Sequence, residues 1–462
     1  MEHKKFSNHY LLTYLLISLF VLIISCKGKG DNVVNKLDGS EITFAEIDSI
    51  VLNVMKEANV PGLQLAVFDE SKVRYMHSYG HIDSLRTIPV NNNTVIQLAS
   101  LSKSIFACIV MKLVEKDQFD LDRPVYQYLD FPLYKMKNSR FDYLDLKEDE
   151  RYKKITGRML LTHTAGFKNY RNKDRLQIYF EPGSRYHYSG EGILILQGII
   201  EHITKKDLQT LADELVFRPL KMNRTSYIWK DKFYPNASFG FKQDGSLYAE
   251  RKDTVPMAAY SGVTCIADFS KLITAVLNHQ LLKEGTTIAM VGPQHHIRTR
   301  NQFGNDAFTI GANTKRGVEL FYGLGWGVLN TPKGSAFFKE GKNLGAQSMT
   351  VVFKNGIGLI LMTNSDNGDQ LFQYLNEKLI GNTYFPWKWE SIYPFYANKA
   401  FNELYDHFKK GSGLDVLLDI YNAYDLKYGL DEFSADIFSA LEHVFTEETI
   451  KIKIRELSNI CK

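Results

Sequence analysis

The stretch Thr94-Val95-Ile96-Gln97-Leu98-Ala99-Ser100-Leu101-Ser102-Lys103 runs directly into an amphipathic segment. From Ser102 to Glu115, Ile105, Ile109 and Leu113 recur at i, i+4 and i+8, which predicts a helix. Ser100 and Lys103 stand three residues apart at its start, so their side chains share one face. A serine hydroxyl is a poor nucleophile until a base takes its proton. A lysine in a partly desolvated, cation-rich pocket has a lowered pKa and can be that base. The N-terminus of the helix adds N–H groups that favour developing negative charge. Alone, a Ser-x-x-Lys pattern arises by chance in many chains of this length, so its meaning rests on its surroundings.

Upstream, Leu63 to Phe68 and Val73 to Tyr79 flank Asp69-Glu70-Ser71-Lys72 and read as a β-hairpin. Far downstream, Ser348 to Phe353 and Ile357 to Thr363 flank Lys354-Asn355-Gly356. Asn-Gly is a strong hairpin signal because both residues tolerate positive φ. Between the hairpins the chain reads as helical, with an apolar face through Ile195, Ile199 and Ile200 over Glu191 to Thr204. Strands at both ends with helices between predict an α+β body whose terminal strands share one sheet around an inserted helical region. From Phe401 to Lys462 the chain is helix-like, with Gly411-Ser412-Gly413 as a breaker, and predicts two or three short helices.

The 462 residues are 44% hydrophobic and 23% charged, which suits a sizeable globular core. The net charge of +4 includes Lys4, Lys5, Lys27 and Lys29 near the N-terminus, and no basic stripe argues for nucleic acid. Cys26, Cys108, Cys265 and Cys461 show neither CxxC nor metal-ligand spacing. His295-His296 reads as loop histidines without a third metal ligand. No metal or organic cofactor is implied.

Lys4 and Lys5 precede an almost wholly apolar run from Tyr10 to Ser25, which reads as an export signal. Its ending, Ile23-Ile24-Ser25-Cys26, resembles a bacterial lipobox. The resemblance implies lipidation of Cys26 and a tether to the outer membrane or periplasmic face, with residues 27–41 as a linker.

The stretch around Ser100 resembles the nucleophile region of the serine β-lactamase and penicillin-binding-protein superfamily, in its class C branch. Four further stretches agree in order: Leu160-Leu161-Thr162-His163-Thr164-Ala165-Gly166, Pro182-Gly183 followed by Tyr188-Ser189, Arg218-Pro219-Leu220-Lys221-Met222, and Phe338-Lys339-Glu340-Gly341. The resemblance covers about Ile42 to Tyr384. It implies a β-lactamase/transpeptidase-like fold over residues 42–385, an antiparallel sheet flanked by helices, with residues 386–462 as a C-terminal helical appendage.

It also implies roles. Ser100 would form an acyl-enzyme and Lys103 would take or relay its proton. Tyr188 would share acid–base work, as a phenolate or through hydrogen bonds. Lys339 would lower the tyrosine pKa or anchor a substrate carboxylate. The backbone N–H groups of Ser100 and Lys342 would form the oxyanion hole, and Lys339, Gly341 and Gly190 would belong with Lys342 to the oxyanion and substrate-binding site. His163 would be chiefly structural. Two departures bear on substrate. Gly190 stands where the pattern has an asparagine that contacts an acylamido side chain, with Glu191 and Gln197 as the candidate substitutes. Glu340 stands where it has a small hydroxyl residue, and would either pair with Lys339 or point away along the strand.

The reading is therefore an exported serine hydrolase acting on an amide or ester: a peptide, a cell-wall fragment or a carboxyl ester. The alternatives are a true β-lactamase or D,D-carboxypeptidase, and a low-turnover binding or sensor protein on the same fold. The oligomeric state is not legible.

Overall fold

A computed structural model of the protein describes residues 32–461 apart from 138–141, 172–174, 312 and 431–432. The expected export signal and Cys26 lie outside the described residues. Strands are numbered throughout, and helices where they reach eight residues.

Eight strands form one sheet in the order β4-β3-β12-β11-β10-β9-β8-β7, each pair antiparallel. Its N-terminal contribution is the expected hairpin, β3 (Gly62–Asp69) and β4 (Lys72–Gly80). The rest comes late in the chain: β7 (His295–His296), β8 (Glu319–Tyr322), β9 (Gly327–Thr331), β10 (Gly334–Asn343), β11 (Ala346–Phe353) and β12 (Gly358–Thr363). The turn between β11 and β12 places Gly356 at φ +89°, the conformation the Asn-Gly signal requires. β3 pairs directly with β12, so strands from the two ends of the domain are neighbours in one sheet, as the sequence predicts. His295 and His296 lie in the edge strand rather than in a loop.

Strand alternation separates two cores. From β3, Ala66 and Phe68 face a layer built on α2 (Ser102–Glu115), α3 (Gly190–Thr204) and α4 (Ile266–Leu277), with Ile105, Ile195 and Phe269 in its centre. Leu63, Leu65 and Val67 face the other layer, built on α1 (Phe44–Glu57) and α5 (Phe372–Leu379). A two-stranded piece, β5 (Ile96–Gln97) with β6 (Val263–Thr264), leads into the turn before α2.

Two expectations need correction. Residues 27–41 are not a linker throughout. β1 (Val33–Asn35) pairs with β2 (Glu41–Thr43), Val34 is fully buried, and Asn35 bonds Asp69 at 2.8 Å. The C-terminal region holds four helices among the described residues: α6 (Phe395–Lys409), α7 (Leu414–Tyr428), α8 (Ser434–Val444) and α9 (Glu448–Ile460). Gly411 and Gly429, at φ +74° and +73°, provide two of the breaks.

These helices are not a free-standing layer. Leu404, Leu417, Leu441 and Leu457 are buried in the same cluster as Leu359 and Leu361 of β12. Phe385, Trp387 and Trp389 form the joint, with the Phe385 ring 4.9 Å from that of Phe338 on β10. Leu404→Ala, which empties a buried site in this shared core, is expected to cost about 2–5 kcal/mol. Chemical denaturation should show one transition moved to lower denaturant; early unfolding of the C-terminal helices alone would contradict a shared core.

Candidate functional site

Ser100 sits in a short 3-10 turn, Ala99–Leu101, that feeds α2. The turn is strained: Ala99 has φ +48°, a region non-glycine residues rarely enter. Neighbouring elements hold it there. The Leu98 N–H donates to the Gly262 carbonyl at 2.8 Å, and the Gly262 N–H donates back to Ser102 Oγ at 3.0 Å. Tyr227 donates its hydroxyl to the Ser102 carbonyl at 2.7 Å. β10 closes the other side. A Cβ at Gly341 would overlap the Leu98 carbonyl oxygen and lie 3.2 Å from Leu101 N, so only glycine lets the strand come this close.

Lys103 is fully buried one turn along α2, with Nζ 2.9 Å from Ser100 Oγ and 2.8 Å from the Ala259 carbonyl oxygen. Burial, reinforced by the Lys339 charge, holds its pKa well below the ordinary lysine value. A neutral amine can keep an N–H on Ala259 and turn its lone pair to Ser100. The Ala259 carbonyl is itself placed by α3: Gln197 Oε1 accepts from the Ala258 N–H at 2.8 Å, and Gln197 Nε2 donates to the Pro256 carbonyl at 2.9 Å.

Tyr188 lies between two lysines. Lys103 Nζ is 5.0 Å and Lys339 Nζ 4.8 Å from its ring centroid. Its hydroxyl is buried and makes no completed hydrogen bond among the described residues. Burial pushes its pKa up to about 12, with Lys339 opposing and Glu340 adding to the rise. The group is a phenol at neutral pH, so the expected lowering by Lys339 does not prevail.

His163, at φ +57°, packs its ring 4.4 Å from that of Tyr188, tilted by 47°. Its Nδ1 accepts the Ser189 N–H at 3.2 Å, which leaves Nε2 to donate to the Tyr322 hydroxyl at 3.1 Å. Burial and the nearby lysines keep it neutral. It holds Tyr188 in place through Ser189, and Ser189 Oγ in turn caps α3 by accepting the Gly192 N–H at 2.9 Å.

Lys339 and Glu340 pair at 2.8 Å, both buried. Glu340 therefore turns onto the lysine rather than along the strand. Two residues that sequence reasoning missed complete the group. Gln302 Nε2 donates to Glu340 at 3.0 Å and to Glu390 at 2.6 Å, while its Oε1 accepts from Tyr186 at 2.8 Å. Glu390 stands one residue after Trp389 and is fully buried. Burial and the Glu340 charge keep its carboxyl far above the usual range, hence protonated.

Gly190 does not line an open subsite. Its N–H donates to Asn169 Oδ1 at 3.0 Å, and a Cβ there would lie 2.9 Å from both the Asn169 carbonyl oxygen and Tyr170 Cε1. Neither suggested substitute reaches the site: Glu191 is buried against Arg171 at 2.9 Å, and Gln197 is spent on the Ala258 loop. Lys342 follows Gly341 on β10, its ammonium paired with Asp369 at 3.0 Å. Among the described residues no cluster of histidine, cysteine or acidic side chains could hold a metal.

The Beta-lactamase family profile matches residues 47–380. Among curated proteins, the chain is 24% identical over 287 residues to a beta-lactamase of Psychrobacter immobilis, covering 59% of this chain and 66% of that protein. It is 23% identical over 219 residues to Protein flp of Staphylococcus aureus (strain MRSA252), covering 44% of this chain and 42% of that one. The chain thus spans less than two thirds of either relative. Two solved structures share the fold. The octameric penicillin-binding protein homologue from Pyrococcus abyssi gives a TM-score of 0.60 at 18% identity, over 78% of this chain and 82% of that one. D-alanine carboxypeptidase AmpC from Burkholderia cenocepacia gives 0.55 at 18% identity, over 69% and 93%.

Gly341→Ala is expected to push β10 off the Ser100 turn, costing about 1–3 kcal/mol of stability as an overpacked contact. Serine-directed fluorophosphonate labelling should fall much further than the unfolding midpoint moves. Labelling at the wild-type rate would show that the close approach does not matter.

Proposed function

The chain belongs to the beta-lactamase family, and from that premise we propose that it is a serine hydrolase using Ser100 as nucleophile and Lys103 as base. The observation carrying this reading is the buried Lys103 amine, 2.9 Å from Ser100 Oγ and depressed in pKa. The Lys103 lone pair takes the Ser100 proton while one N–H stays on Ala259. The oxygen attacks an ester or amide carbonyl, and the oxyanion is met by the N–H groups of Ser100 and Lys342. Tyr188, a phenol at neutral pH, hands a proton to the leaving group. Lys103 then returns the proton it took to the Tyr188 oxygen, which restores a neutral amine and a phenol; water attacks the acyl-enzyme as Lys103 takes its proton, and that proton goes back to Ser100 Oγ when the acyl bond breaks. The order of motifs and the likeness to the AmpC fold support placing the chain in the class C branch.

Peptides, cell-wall fragments and carboxyl esters share this chemistry. The filled space at Gly190 weighs against a β-lactamase or D,D-carboxypeptidase, whose acylamido substrates need room there. Nitrocefin turnover separates these readings.

Ser100→Ala is expected to abolish both hydrolysis and fluorophosphonate labelling; labelling retained at another serine would overturn the assignment. Lys103→Ala should slow acylation about 10²–10⁴-fold, the usual worth of a positioned base. Protonated Lys103 is inactive, so the rate should rise with pH through a pKa well below 10.5, and this limb should disappear in Lys103→Ala. A low-turnover sensor would instead show stoichiometric labelling without turnover.

We further propose that the protein is exported and tethered through a lipidated Cys26. Cys26→Ala should move it from the membrane fraction to the soluble one; a variant that stays with the membrane would count against the tether.

A further inference from the structure

A lysine at the position of Lys339 would ordinarily be the cation that meets an anionic substrate. In this chain its charge is already matched. Lys339 Nζ lies 2.8 Å from Glu340 Oε1, and the two side chains are 0% and 4% exposed. Burial pushes the Glu340 carboxyl up, but the Lys339 charge together with hydrogen bonds from Lys339, the backbone and Gln302 holds it below its ordinary pKa, while Glu340 keeps Lys339 an ammonium. The pair is ionised and has no net charge.

The pair is also fixed in orientation. Tyr186 donates to Gln302 Oε1, which sets the amide so that Nε2 points at the two carboxyl groups, Glu340 at 3.0 Å and Glu390 at 2.6 Å. The Gln302 N–H donates to the Trp389 carbonyl at 2.8 Å, so the segment carrying Glu390 is bound to the same residue. Glu390 is protonated and adds no charge. One lysine, two carboxyl groups and one shared amide thus make a neutral floor beneath Tyr188.

Three cations around it are matched by carboxylates in the same way, and a fourth, Lys168, lies over an aromatic ring. Lys342 pairs with Asp369 at 3.0 Å, Arg251 with Asp253 at 3.0 Å, and Arg171 with Glu191 at 2.9 Å. Lys168 packs its ammonium 4.5 Å over the Tyr179 ring. Lys103 is the base and is neutral in the reactive form. A carboxylate brought to Lys339 would lose its water and sit beside the Glu340 carboxylate. Like charges in a low-dielectric site repel strongly, and the desolvation cost would go uncompensated.

We propose that this site selects neutral esters or amides, without a carboxylate next to the scissile bond, and that Glu340 sets this preference by occupying Lys339. The inference rests on the hydrolase reading and narrows its substrate class. β-Lactams and acyl-D-alanine peptides carry such a carboxylate and fall outside it. Glu340 acts through Lys339 and does not touch the substrate; it is a specificity-determining residue.

The test compares two esters of matched shape, 3-carbamoylphenyl acetate and 3-carboxyphenyl acetate, each kcat/KM divided by the ester's hydroxide-catalysed hydrolysis rate. The wild type should prefer the neutral ester by about tenfold or more, as expected for a repelled charge at a partly desolvated site. Glu340→Gln alone is a weak probe, since Glu390 can then ionise and replace the lost charge. The double variant E340Q/E390Q leaves Lys339 unmatched and should lower the preference at least about fivefold, through KM of the anionic ester. A wild-type ratio of one or less overturns the proposal and points to Lys168 as a carboxylate anchor. A ratio unchanged in the folded double variant also overturns it. If the double variant does not fold, the wild-type ratio decides alone. Fluorophosphonate labelling of Ser100 is measured alongside. Labelling with the wrong ratio refutes only the substrate class, whereas absence of both labelling and turnover removes the hydrolase reading and this inference with it.

Discussion

Two lysines are fully buried within about 5 Å of a single phenol ring, and the rest of the site is arranged around that fact. Burying one ammonium is costly, and burying two side by side costs more unless one gives up its proton. Lys339 keeps its charge because Glu340 is beside it. Lys103 hydrogen-bonds a neutral carbonyl and a serine, with no carboxylate beside it among the described residues, and its pKa falls. The asymmetry between an acidic and a neutral neighbour turns two chemically identical side chains into a fixed cation and an amine whose pKa is held low, as the proposed base requires.

That asymmetry depends on parts of the chain far from Ser100. Gln197 on α3 positions the loop whose carbonyl holds Lys103. Gln302, Tyr186 and Glu390 hold the carboxyl group that holds Lys339. Glu390 arrives from the aromatic joint that docks the C-terminal helices. The helices therefore share a wall with the reactive centre as well as a hydrophobic core with the sheet, and a change in their packing is transmitted to Glu340 through one buried amide.

Much of this architecture was legible in the sequence because it rests on local rules. Both hairpins and the two long helices follow from periodicity and an Asn-Gly turn, and the helix from Ser102 to Glu115 ends where its apolar pattern ends. Motif order singles out Ser100, Lys103, Tyr188 and Lys339, and the fold brings these four side chains together. What stayed hidden is what depends on tertiary placement. Glu390 looks like a polar residue among tryptophans, and Gln302 like one of several loop amides; neither carries a local signal of burial. The blocking of Gly190 by Asn169 and Tyr170 requires a loop and a helix start to meet. The β1–β2 pairing was missed because three-residue strands give too short a pattern. The fourth C-terminal helix was missed because Gly429 was not weighed as a break.

The pairing of β3 with β12 also sets a timetable. Leu63 finds its partner at Thr363, so β3, an interior strand of the sheet, waits for about 300 further residues for its β12 neighbour. At synthesis rates of roughly 5–20 residues per second, that is on the order of 15–60 s during which a strand buried on both faces in the finished protein has no partner. The Ser100 turn, squeezed between Gly262 and Gly341, is likewise unbuilt until β10 arrives. A nascent chain of this protein thus carries an unpaired, aggregation-prone strand, and cannot assemble the candidate site, until about three quarters of it has been made.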